Sequence, residues 1–343
     1  MSDVAAGVYD WEGGKSGIRR KDPPEWYVPR IDRKELRALM QRKNYRGIIN
    51  VGLWLALLGV LGYLAAITMS SPWCILLFFA YGQVLGNCSA RWHETLHGTV
   101  FRTSALNEIV FFLCCALDFR DMIFTRWSHV THHSYTIDTE VDLEIHAPRP
   151  VKIWKLVAEL LYLPSGFFFL RLLVLHSLGI ASREARRVVP KSDYAWMFWN
   201  ARAVLALHVA AVVLSIVLHS WLPVLLFTLP RFYGAALLFI FALTQHAGLA
   251  ENTNDHRLVA RTVILNPVFS FLYMHMQYHV EHHIFPLVPF HALGKLHKAV
   301  RDQMPAPYRG LWDAYREMIP TLIRQRTDVN YYVRRDPSLT NLL

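Results

Sequence analysis

The run Pro72-Trp-Cys-Ile-Leu-Leu-Phe-Phe-Ala-Tyr-Gly-Gln-Val-Leu-Gly-Asn-Cys-Ser-Ala-Arg-Trp-His93-Glu94-Thr95-Leu96-His97 leads from an apolar segment straight into a pair of histidines, and its reading decides the fold. Ser71 can cap a helix and Pro72 suits its first position. From Pro72 to His93 is about 21 residues, or about 32 Å of helix at 1.5 Å per residue, roughly one hydrocarbon thickness. Upstream, no Asp, Glu, Lys or Arg occurs from Gly47 to Ala90. That stretch of roughly 44 residues is enough for about two spans, divided at Met69–Trp73. A second apolar block runs from Trp196 to Ala250 with only Arg202 and Arg231 inside it. It divides near Ser220–Pro223 into a third span, 196–219, and a fourth, 224–246. Pro230 and Arg231 then fall in the outer part of the fourth helix, with Arg231 snorkelling outward. A buried hairpin in a soluble core is the weaker reading, because soluble helices seldom stay uncharged for so long.

Charge sets an expected orientation. Arg19, Arg20, Lys21, Arg30, Arg33, Lys34, Arg37, Arg42, Lys43 and Arg46 precede the first span, and Arg183, Arg186, Arg187 and Lys191 precede the third. The two short loops between paired spans carry no charge. The positive-inside rule places both termini and every histidine box in the cytoplasm. The net charge of +10 is then explained by attraction to anionic lipid headgroups, and no nucleic acid is needed. Cys74, Cys88, Cys114 and Cys115 form no CxxC pair and read as packing residues. Met1–Arg46 is polar and basic, which does not read as a signal peptide. The expected organisation is a basic segment over 1–46, spans one and two over 47–98, a cap with interfacial helices over 99–192, spans three and four over 193–250, and a cap and tail over 251–343. Leu106–Leu117 and Val151–Leu178 are expected as interfacial or cap helices.

Nine of the 17 histidines carry the chemistry. Eight lie in three boxes: His93 and His97; His129, His132 and His133; and His279, His282 and His283. The ninth is His246. Spacings of i, i+3 and i, i+4 put the imidazoles of each box on one helix face. One transition metal rarely takes more than about six donors, so this set implies two metals. His-Glu-x-x-His alone would suggest a zinc hydrolase, but such a site needs three protein ligands and has no use for two further boxes. A metal transporter would place its ligands inside the spans, whereas only His246 ends one.

The order His-x-x-x-His, His-x-x-His-His, single His, His-x-x-His-His, together with Tyr278-His-Val-Glu-His-His-Ile-Phe-Pro286, resembles the membrane fatty acid desaturase superfamily of desaturases, hydroxylases and alkane monooxygenases. Thr244-Gln-His-Ala-Gly-Leu-Ala-Glu251, Ala147-Pro-Arg-Pro150 and His291-Ala-Leu293 resemble a bacterial hydrocarbon oxygenase branch that includes rhizopine-catabolism enzymes. The resemblance implies an all-α integral membrane protein of about four transmembrane helices with a cytosolic helical cap. It also implies a non-haem di-iron centre using O2 to hydroxylate or desaturate an unactivated C–H bond of a fatty acyl or other hydrophobic substrate. Hydroxylation or oxidative demethylation of a small molecule is the alternative. The implied ligands are His93, His97, His129, His132, His133, His246, His279, His282 and His283. A water held by Asn266 or Asn252 could complete the set.

Carboxylates that could orient ligand imidazoles are Glu94, Asp138, Glu140, Asp142, Glu251 and Glu281, with Glu94 and Glu281 favoured because they lie inside boxes. His146, His176, His208, His219, His256, His275, His291 and His297 read as ordinary core or interfacial residues, His275 being the most doubtful of them. No Gly-x-Gly-x-x-Gly unit, haem motif or iron–sulfur cysteine set is present. Electrons must therefore come from a separate ferredoxin- or rubredoxin-type donor with its reductase, and Lys295, Lys298, Arg301 and Arg309 are the expected docking strip.

Overall fold

The structure, a computed structural model, describes residues 25–335. Most of the basic N-terminal segment, Arg19, Arg20 and Lys21 included, lies outside the described residues. The described chain is helical, with two isolated bridges, Thr262–Tyr278 and Val263–Tyr308, as its only β pairings.

Three helices are long and apolar enough to cross a membrane: Asn44–Ile67, Trp73–Leu96 and Lys191–Val217. In the first and third, only 33% and 28% of the apolar window is buried inside the protein. Leu53, Val60, Tyr63, Val213, Ile216 and Val217 instead point outward, an apolar face suited to lipid. A fourth candidate comes from an unexpected place. Ile153–Glu159 and Leu163–Ser177, read in sequence as interfacial or cap helices, form an apolar pair bent by 72°. The bend falls where Tyr162 adopts φ 55° and Pro164 starts the second helix. That second helix packs along the third span.

The expected fourth span, 224–246, is not one helix. It breaks into a wide turn at Val224–Thr228, a short helix Pro230–Tyr233 and a helix Ala236–His246. Proline supplies no N–H for a helical bond, and Gly234 completes the break by pressing backbone onto backbone. A Cβ on Gly234 would lie 2.0 Å from the Gly82 carbonyl, and one on Gly86 would lie 2.2 Å from the Gly234 oxygen. Gly82 and Gly86, one turn apart on the second span, thus form a small-residue seat for the break. The broken segment turns Arg231 inward: it is buried, not snorkelled, and its Nε donates to Asp118. The same Asp118 accepts from Ser89 Oγ at 2.8 Å, Trp92 Nε1 at 2.9 Å and Arg120 Nε at 3.0 Å. One carboxylate therefore ties the second span, the 118–120 turn and the broken segment together, immediately beside box one. Helix Ser104–Leu117 packs on the box-one helix, where Cys88, Cys114 and Cys115 are buried free thiols.

Candidate metal centre

Four elements deliver the nine histidines. His93 lies on helix Cys88–Leu96 and His97 caps its end. His129, His132 and His133 lie on Met122–Ser134, whose start is fixed by Asp121 accepting from Phe124 N–H. His246 is the last residue of Ala236–His246, and box three forms the short helix His279–Ile284. All nine converge, and they sort into two groups. His93, His97, His129, His133 and His282 make one; His132, His246, His279 and His283 make the other. Within each group the candidate ligand atoms lie within 4.8 Å of one another. Boxes two and three are each split between the groups, because adjacent helical positions point about 100° apart.

The nitrogen contacts test whether metals fit. His129 Nε2 lies 3.2 Å from His97 Nε2 and 3.1 Å from His133 Nε2. His279 Nε2 lies 2.9 Å from His246 Nε2 and 3.0 Å from His283 Nε2. An imidazole nitrogen has one proton or one lone pair, so a single Nε2 cannot satisfy two such neighbours by hydrogen bonding. Donors at about 2.1 Å from one metal and at right angles stand roughly 3.0 Å apart, which is the spacing found. The Nε2 atoms of His93 and His282 are buried without any hydrogen-bond partner. The donor set fits two imidazole-bound metals.

The outward-facing nitrogens are held from behind, which fixes the tautomer that leaves Nε2 free. His129 Nδ1 meets Glu144 at 2.9 Å, and His132 Nδ1 meets Asp142 at 2.8 Å. His246 Nδ1 meets the Val259 carbonyl at 2.7 Å and His283 Nδ1 meets Thr136 Oγ1 at 3.2 Å, whereas at His279 it is the Gln245 amide nitrogen, a donor, that faces Nδ1 at 3.2 Å. Glu94 is fully buried and lies 3.5 Å from Nδ1 of both His93 and His282. Burial first, and neighbouring imidazoles second, hold His129, His133, His279, His282 and His283 well below the ordinary histidine range. Neutral imidazole is the ligating form. At His132 burial pulls in the same direction, but the Asp142 charge and hydrogen bond outweigh it and the net shift is upward.

The expected carboxylates divide. Glu94 and Asp142 contact box histidines. Asp138 binds the backbone N–H groups of Glu140 and Val141, and Glu251 pairs with Arg149. Glu281 takes Thr262 Oγ1 and His297 Nδ1 and meets no box histidine. Its place two residues after His279 sends it to the opposite face of a helix. Sequence reasoning passes over Glu144, although Asp138, Glu140, Asp142 and Glu144 form an alternating acidic run. It also underrates His256, which sits 5.1 Å from the His283 ring and stacks on Trp26 at 3.9 Å. Asn266 and Asn252 are exposed and bind Phe269 N–H and Thr139 N–H, so neither is placed to hold a water at the centre. His208, inside the third span, bonds the Ala116 carbonyl and stacks on Phe119, apart from both groups.

A cavity of about 610 Å³ opens against the centre, touching His93, His129, His132, His246 and His279. Comparison with curated proteins finds no match. The fatty acid desaturase family model matches residues 70–315, a stretch that contains all nine histidines and well over half of the chain. The chain belongs to the fatty acid desaturase family.

Proposed function

We propose that this membrane enzyme is an O2-dependent di-iron oxidoreductase that hydroxylates or desaturates an unactivated C–H bond. The observation that carries the reading is the sorting of nine buried or half-buried histidines into groups of five and four with converging Nε2 atoms. Two irons held there, with O2 and electrons, would supply the oxidising power that no side chain possesses. The protein's own share is positional. Glu144, Asp142 and Val259 hold protons at Nδ1 of His129, His132 and His246, so the opposite nitrogens stay free for metal. Leu143, Ile145, Phe239 and Met276 line the cavity and exclude water from the C–H bond to be broken.

The same reading puts both termini and the histidine groups on the cytoplasmic side and covers the centre with a helical cap. An external ferredoxin- or rubredoxin-type donor is the partner. Lys295 and Lys298 lie exposed on helix Leu293–Val300, with Arg301 and Arg309 exposed just beyond it. His297 of that helix bonds Glu281 of box three, so a donor bound there docks one helix from the metals. A zinc hydrolase would leave one whole histidine group unused, and a transporter would leave unexplained a cavity that ends at the histidines. The test is coupled turnover: iron-loaded protein in lipid, given a ferredoxin and its reductase, consumes O2 as a hydrocarbon-bearing substrate is oxidised. Hydrolysis supported by zinc alone, with no O2 uptake, would replace this reading with the hydrolase.

A further inference from the structure

The cavity against the histidines has a charged wall as well as an apolar one. Phe124, Leu143, Phe168, Phe239 and Met276 form its apolar part. Its charged lining is Arg120, Arg149, Lys152, Lys155 and Arg231 against only Glu144 and Glu159. Both acids already have partners: Glu144 holds Ser128 and His129, and Glu159 holds the N–H and hydroxyl of Ser165. Lys152 and Lys155 are exposed at the mouth, and Arg149 is committed to Glu251 and the Leu249 carbonyl.

Arg120 and Arg231 differ from these. Each is anchored through Nε to one oxygen of Asp118, a buried residue behind the cavity wall. Arg120 lies flat on Phe169 at 3.6 Å, and Arg231 on Tyr162 at 3.9 Å. Among the described residues, the two terminal nitrogens of Arg120 have no hydrogen-bond partner, whereas Arg231 is buried behind it with Nη2 on Ser89 and Nη1 enclosed. Arg120, oriented by Asp118 and the Phe169 ring, presents a rigid fork for a planar anion, and Arg231 adds positive charge behind it. The aromatic faces that would otherwise attract a cationic ligand are already covered by these guanidiniums.

We infer that this cavity takes an amphipathic substrate whose anionic group, a carboxylate or phosphate, is bound by the Arg120 fork at the inner wall, with the Arg231 charge behind it, while its apolar part lies against the histidines. The inference rests on the oxygenase reading, since it takes the cavity to be the substrate's. It also limits where oxidation falls. Trp92 bridges the two regions, its ring 4.8 Å from the Arg120 guanidinium and 5.9 Å from the His129 ring. The Arg120 guanidinium and the His129 ring are thus at most about 11 Å apart. The carbon that reacts therefore lies within that reach of the anionic group, not at the far end of a longer chain.

The test is equilibrium binding of three soluble probes, hexanoate, hexan-1-ol and hexylammonium, to the full iron-loaded chain in nanodiscs, read by calorimetry. Hexanoate should bind about tenfold or more tighter than either other probe, as a charge-assisted fork requires. Arg120→Gln should erase that preference while leaving hexan-1-ol unchanged. Arg120→Lys, which keeps the charge and loses the fork, should fall between. Lys152→Gln and Lys155→Gln, at the mouth, should not alter it. Equal binding of the three probes by the unmodified protein, or an unchanged preference in Arg120→Gln, overturns the inference whether or not every variant folds. Because no turnover enters the measurement, that failure leaves the oxygenase reading standing; failure to load iron would instead strike the oxygenase reading.

Discussion

The two histidine groups are built alike at their centres and differently around them. The group of five has two buried or half-buried carboxylates behind it, Glu94 between His93 and His282 and Glu144 behind His129. The group of four has one, Asp142 behind His132; its other members lean on a carbonyl, a hydroxyl and an amide. A divalent metal among neutral imidazoles in a buried site needs compensating negative charge nearby. With one more imidazole donor, the five-histidine group is expected to hold its metal more tightly. Both groups reach the cavity, the five through His93 and His129 and the four through His132, His246 and His279, and the group of four, one donor poorer, is where a metal is expected to keep a position free.

The largest effect should come from removing a donor from the poorer group. His246→Ala should lose about one of two metals and all O2-dependent turnover, because three remaining imidazoles hold a metal far less well than four. His246→Ala retaining both metals and its activity would remove it from the centre. Next come the carboxylates. Asp142→Asn and Glu144→Gln should each weaken metal binding by about 10- to 100-fold, in chelator competition, at the site they back. Glu281→Gln, which backs no box histidine, should leave metal affinity within a factor of about two. Equal losses in all three would erase the distinction drawn between these acids.

A smaller effect belongs to pH. In metal-free protein, His129, His133, His279, His282 and His283 sit well below 6.5, and burial holds His256 at about 3. The unfolded chain binds protons at these groups near 6.5 while the folded chain refuses them. Stability is thus full above about 6.5 and falls as pH drops from there toward the folded values, by at most about 1.4 kcal/mol per pH unit for each group. His132, raised by Asp142, runs the other way and is outnumbered. Denaturant melts of apo-protein from pH 7 to 5 measure this, and a flat profile would contradict it. The smallest effect is a control: His208→Ala, within the third span, should leave metal content unchanged.

How much of this was legible in the sequence depends on range. Spacing alone groups eight of the nine histidines into boxes, since i, i+3 and i, i+4 positions share a helix face whatever surrounds them, while the isolated His246 enters the set only through the family resemblance. Hydropathy found the first three long helices for the same local reason. It could not see the break at Pro230 and Gly234, because an apolar run scores alike whether straight or bent. The seat at Gly82 and Gly86 works only through contact with a segment roughly 150 positions away. Arg231 was misplaced with it: a snorkelling arginine and a buried one have the same sequence, and only Asp118 distinguishes them. Glu281 and Glu144 make the same point in small. Membership of a box favoured Glu281, whereas the contact belongs to Glu144, which reaches His129 from a turn 15 residues later.

The most direct test of the account is metal content per chain, measured by elemental analysis on protein purified from iron-supplied cells, with chelator titration of the same sample. Two irons per chain, leaving in two separate phases with the second much slower, is the predicted result. One zinc and no iron, or two irons leaving together, would contradict it.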